Sequence, residues 1–117
     1  MLSREQILQA LLAATVQNEN MIWMLAGIKM AERPVQKDHL RDVTNMIYKE
    51  IHPEAEQLPI RSRHLLDEAA AMLEGAALVE VAEIAKTKQY TLSALGEELL
   101  QYRHQQRQLQ KSKGKDV

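Results

Sequence analysis

Apolar residues recur at intervals of three and four along most of the chain, and the interval changes only near residue 77. Ile7, Leu8, Leu11, Leu12 and Val16 predict a helix over 3–16, and Ser3 with Gln6 three residues later has the spacing of a capping box. The polar string Gln17-Asn18-Glu19-Asn20 interrupts the pattern, so a break near Asn18 is expected. Met21, Ile22, Met24, Leu25 and Ile28 then carry a second helix to about Ala31. Pro34 ends that element, because proline disfavours helix in the residue before it. Leu40, Val43, Ile47 and Ile51 place a third helix over 36–50, closed by His52-Pro53. After a loop from Glu54 to Leu58, Pro59 opens a fourth helix, whose buried face is Leu65, Leu66, Ala69, Met72 and Leu73 and which ends near Gly75.

Ala77 to Ile84 is rich in branched residues and reads as a strand, Lys86-Thr87-Lys88 as a polar turn, and Gln89 to Leu92 as the returning strand. Ser93 suits the N-cap of a last helix through Leu95, Leu99 and Tyr102 to about Gln110. The expected fold class is mainly α with a small β-hairpin. It forms one domain over 1–110, with the hairpin at about 77–92, the last helix at about 93–110 and a basic flexible tail at 111–117.

Two segments resemble the winged helix-turn-helix superfamily. Leu73-Glu74-Gly75-Ala76-Ala77-Leu78-Val79 looks like the junction where a recognition helix passes into the first wing strand. Tyr90-Thr91-Leu92-Ser93-Ala94-Leu95-Gly96 resembles the Tyr-x-Leu-Thr/Ser-x-x-Gly pattern that closes the wing in the PadR, MarR and replication-terminator families. The likeness is close over about forty residues and elsewhere rests on element order alone. One departure is that these families have Gly where Ala77 stands; either the helix ends early at Gly75 or the turn is built differently. Within the pattern, Tyr90 and Leu92 share one strand face and can pack on the helices, while Gly96 permits close approach to a neighbour. The resemblance implies a winged helix with an extra N-terminal helix and a long C-terminal one, acting as a dimeric, sequence-specific transcriptional regulator.

In such a fold the start of the fourth helix enters the major groove, which puts Arg61, Ser62, Arg63 and His64 against base edges and phosphates. Lys86, Thr87 and Lys88 at the wing tip would hold the backbone or minor groove. Arginines at a helix start oppose its dipole, so something else should favour them there, whereas Asp67 and Glu68 would repel phosphates one turn later and are the main argument against DNA. Leu92, Leu95, Leu99, Tyr102, Gln106 and Leu109 form a short heptad seam. Its residues Leu95, Leu99, Tyr102 and Leu109 are the candidate dimer contacts. Met21, Trp23, Met24, Met30 and Met46 could line an effector pocket, although Met at helical spacing is more often core.

Composition changes this picture in three ways. The chain has no Cys or Phe and only one Trp and three Tyr, so the core must be aliphatic and thiolate chemistry is excluded. Net charge is −1, yet residues 85–117 carry seven basic and three acidic groups. In that basic third, Arg103, Arg107, Lys111, Lys113 and Lys115 read as a solubilising cluster that could graze phosphates. The four histidines (39, 52, 64 and 104) form no ligand spacing, and no phosphate loop or nucleophile motif is present; neither an enzyme nor a cofactor is expected. With no leader pattern and no apolar run beyond Met21–Ile28, a cytoplasmic protein is expected. The acidic middle of the chain keeps a second reading open, a winged-helix protein–protein module that does not bind DNA.

Overall fold

Ser3 starts the first helix as the spacing requires: its hydroxyl accepts from the Gln6 amide at 3.1 Å, and its own amide donates to Gln6 Oε1 at 2.8 Å. The computed structural model describes residues 2–115, with the side chains of Val16 and 110–115 outside that description. Its elements run α1 (Arg4–Gln17), α2 (Glu19–Ala31), β1 (Val35–Gln36), α3 (Lys37–Ile51), α4 (Arg63–Gly75), β2 (Val79–Ile84), β3 (Thr87–Leu92) and α5 (Ala94–Lys115). The protein is mainly helical, with one antiparallel three-stranded sheet in the order β1-β3-β2. Asn18 separates α1 from α2, at the polar string that interrupts the apolar pattern. No helix among the described residues is long and apolar enough to cross a membrane.

The core is aliphatic, as the composition demands. Met24, Leu25, Leu40, Leu66, Leu73, Leu78 and Leu99 are buried from five different elements and connections, and Tyr90 is the one aromatic ring wholly inside them. Tyr90 faces the helices from β3 and Leu92 packs beside it, as the strand alternation predicts. Tyr90 also pairs with Val35 across β1 and with Val81 across β2, which ties the sheet to the helical layer.

The end of α4 shows how the chain turns from helix to strand. The Leu78 amide donates to the Leu73 carbonyl at 3.0 Å and the Ala77 amide to that of Glu74 at 3.1 Å, the two bonds of a Schellman motif. Ala77 sits at the left-handed position of that motif with φ 58°. The helix ends at Gly75, and alanine occupies a conformation that glycine adopts without steric cost. Ala77→Gly is therefore expected to raise stability by about 1 kcal/mol, measured as a shift in the urea midpoint at unchanged slope.

Several features differ from those the sequence predicts. β1 was not expected. The fourth helix begins at Arg63 rather than near Pro59, because Ser62 is its cap and accepts from the Leu65 amide at 3.2 Å. The hairpin turn is Ala85-Lys86, both at positive φ (52° and 68°) as in a primed two-residue turn, with Ile84 opposite Thr87 and Glu83 opposite Lys88. Thr87 and Lys88 are thus strand residues, and only Lys86 of the three stands at the tip.

Candidate functional site

The approach to α4 is fixed by one side chain. Asn45, on α3, donates from Nδ2 to the Ile60 carbonyl at 2.9 Å and accepts from the Ile60 amide at Oδ1 at 3.0 Å. Both backbone groups of Ile60 are satisfied while its side chain is buried at 1% exposure. This clamp holds the loop between α3 and α4 and thereby sets where Arg61 and Arg63 emerge. Asn45→Ala leaves a part-buried donor and acceptor without partners. A loss of about 2 kcal/mol is expected in chemical denaturation.

The segment Arg61–His64 divides into different roles. Ser62 is occupied as the helix cap, so its hydroxyl serves the backbone rather than a ligand. Arg63 donates to Asp38 Oδ1 at 2.7 Å and lies 3.4 Å from Asp67 Oδ1, one turn along the same helix. Asp67 also accepts from Lys37 Nζ at 3.0 Å. That hydrogen bond from Lys37 is the largest cause holding the Asp67 carboxyl below its ordinary pKa, so it remains ionised throughout the neutral range. His64 faces Glu68 at 3.2 Å. These carboxylates explain how cations are tolerated at a helix start whose dipole opposes them. Arg61 makes no ion pair among the described residues, and it borders a shallow hollow of about 410 Å³ with Arg41, Asn45, Ile60 and Arg63.

The hairpin carries Lys86 at its tip and Lys88 on the strand face that Tyr90 and Leu92 share, opposite Glu83. Among the described residues no ion pair or hydrogen bond joins these lysines to the Arg61–His64 segment.

The seam residues of α5 are largely engaged within the protomer. Leu99 is fully buried and Leu95 and Tyr102 pack against the same core, which leaves Leu109 exposed. Leu99 is therefore unavailable to a second copy, because the protomer's own core already buries it. Arg4 on α1 pairs with Glu98, and Lys29 on α2 pairs with Glu97 at 2.7 Å, which fastens the first half of α5 down. α5 runs on to Lys115, past the predicted end near Gln110, so residues 111–115 are helix rather than a flexible tail; their side chains and residues 116–117 lie outside the described residues.

The methionine pocket does not assemble. Met21 and Met24 are core, while Met30 and Met46 are exposed on α2 and α3. Trp23 instead lines a different cavity, of about 550 Å³, between α1, α2, α3 and α5. Its ring meets Tyr48 edge-on at 5.0 Å and His52 at 5.9 Å, and Tyr48 and His52 lie 4.8 Å apart. Arg103 and Arg107 of α5 line the same cavity. Burial, and then the charge of Arg107, lowers the pKa of Arg103. Sequence reading missed this site because its walls come from four separated segments; the one local sign was two arginines four residues apart.

No family model matches the chain, and no curated protein is significantly similar to it.

Proposed function

We propose that the protein is a winged helix-turn-helix DNA-binding protein, a transcriptional regulator acting as a dimer on a pseudo-palindromic site. The observation that carries this reading is the arrangement around α4. A helix pair, α3 and α4, is followed directly by the β2–β3 hairpin, and β1, immediately before α3, adds a third strand beside β3. Two exposed arginines stand at the entry to α4. In this reading α4 is the recognition helix, Arg61 and Arg63 meet bases or phosphates, and Lys86 supports them from the wing. The Arg63 pairs are surface contacts of the kind that contribute about 0–1 kcal/mol, so a phosphate can displace them. Self-association rests on Leu109 and on α1, whose Ile7 and Ala10 remain exposed.

A second reading, an adaptor or assembly module that binds protein, is favoured by the balance of charge on the same face. Lys37, Arg41, Arg61 and Arg63 are matched by Asp38, Asp42, Asp67 and Glu68. Neutralising two of these carboxylates separates the readings. If the face meets DNA, Asp38→Asn with Asp67→Asn should tighten low-salt binding of a random duplex by about tenfold, read by electrophoretic shift. Unchanged or weaker binding in the double variant would count against the DNA reading, and absence of any shift in either protein would favour a protein partner.

A further inference from the structure

Asn18 stands where α1 gives way to α2, at the N-cap position of the second helix, and asparagine is among the side chains best suited to capping. It does not cap. No side-chain bond from Asn18 reaches the first turn of α2; its amide instead donates from Nδ2 to the Met72 sulfur on α4 at 3.0 Å. A thioether is a weak acceptor, so a good helix cap is given up for a poor hydrogen bond to a residue 54 positions away.

Met72 differs from the other methionines in this partner and in its setting. The apolar spacing of the fourth helix puts it on the buried face, yet 37% of it is exposed. Met30 and Met46 are more open still, at 67% and 56%, and neither sulfur takes a hydrogen bond among the described residues. Met21 and Met24 lie in the core. An oxygen added to a core methionine would put an unpaired polar atom among aliphatic side chains. Met72 can take one on its open side, with a donor already beside the sulfur.

We propose that Met72 is a reversible oxidation site, converted to its sulfoxide by hydroperoxides, with Asn18 as the residue that promotes the step and then holds the product. The sulfur lone pair attacks one peroxide oxygen and the O–O bond breaks. The proton on the transferred oxygen passes to the leaving oxygen, which departs as water; sulfur loses two electrons and the peroxide gains them. Negative charge collects on the oxygen arriving at sulfur. The Asn18 N–H then has a strong acceptor in place of a weak one, so it stabilises the transition state more than the thioether. In the product the sulfoxide oxygen rests on Asn18, which ties α4 to the joint between α1 and α2 more firmly than the thioether does. The assignment does not depend on whether α4 meets DNA.

Exposure of the full chain to hydrogen peroxide, followed over time by peptide mass spectrometry, tests it with the other methionines as internal references. Met72 sulfoxide is expected to form at least about twofold faster than that of Met30 or Met46, against the order of their exposure. Asn18→Asp keeps the shape and a helix-capping side chain but carries no N–H donor, and Asn18→Ala removes the donor without adding charge. Each is expected to slow Met72 about fivefold, the rate equivalent of one hydrogen bond, with Met30 and Met46 unchanged. Continued protection of Met21 and Met24 reports that a variant is folded. Met72 oxidising no faster than Met30 and Met46 in the parent, or at an undiminished rate in either folded variant, overturns the proposal. If neither variant folds, the order of oxidation in the parent decides it.

Discussion

Gly96→Ala is expected to destabilise the protein by about 3 kcal/mol or more, the upper end for forcing extra atoms into a packed interior. Gly96 lies in the first turn of α5, directly against the chain entering β2. A Cβ there would collide with the Leu78 carbonyl oxygen and lie 3.2 Å from the carbonyl carbon, so backbone rather than a flexible side chain would have to move. That carbonyl is not free to shift, because it already accepts from the Ser93 amide at 3.1 Å. Ser93 in turn donates from its hydroxyl to the Ala77 carbonyl at 2.7 Å and accepts from the Gly96 amide at 3.0 Å. The substitution therefore disturbs the cap of α5 and the start of the hairpin together. A fall in melting temperature of about 10 °C or more is the expected reading. A fall of a degree or two would show that the α5–β2 approach is looser than described.

The same region illustrates what the amino-acid pattern does and does not convey. Helices α1, α2, α3 and α5 are legible because each carries an apolar stripe of several turns, and the Ser3 and Ser93 caps are legible because capping is a local contact. Strand β1 is two residues long and has no period to read; Val35 becomes a strand residue only because β3 arrives beside it. Pro59 suggests a helix start, yet Asn45 captures Ile60 from fifteen residues away and delays the helix to Arg63. The hairpin turn was displaced for a related reason. Ala85 and Lys86 adopt positive φ without the Asn or Gly that usually marks it, and the polar Lys-Thr-Lys run next to it draws attention instead. On α5 a heptad spacing cannot say whether the partner is a second copy or the protomer's own core, and here the core takes Leu99. The charges at the α4 entry were visible in sequence, whereas the pairing of Arg63 with Asp38 joins two helices and was not.

Replacing Arg61 and Arg63 together by alanine is expected to lower affinity for duplex DNA by about a hundredfold at low salt, from two charge-assisted contacts. Stability should hardly change. Arg61 has no ion pair to lose among the described residues, the Arg63 pairs are exposed, and removing cations from the first turn relieves their opposition to the helix dipole. A variant that melts like the parent but no longer binds would assign the loss to the interface rather than to the fold.

The most direct test of the central claim is the salt dependence of duplex affinity, measured by fluorescence anisotropy for the parent and this double variant. The claim predicts a linear fall of log affinity with log salt, less steep by about two in the variant because two fewer phosphate-directed cations release counterions. Identical slopes and affinities for the two proteins, or no binding by the parent at about 50 mM salt, would contradict it.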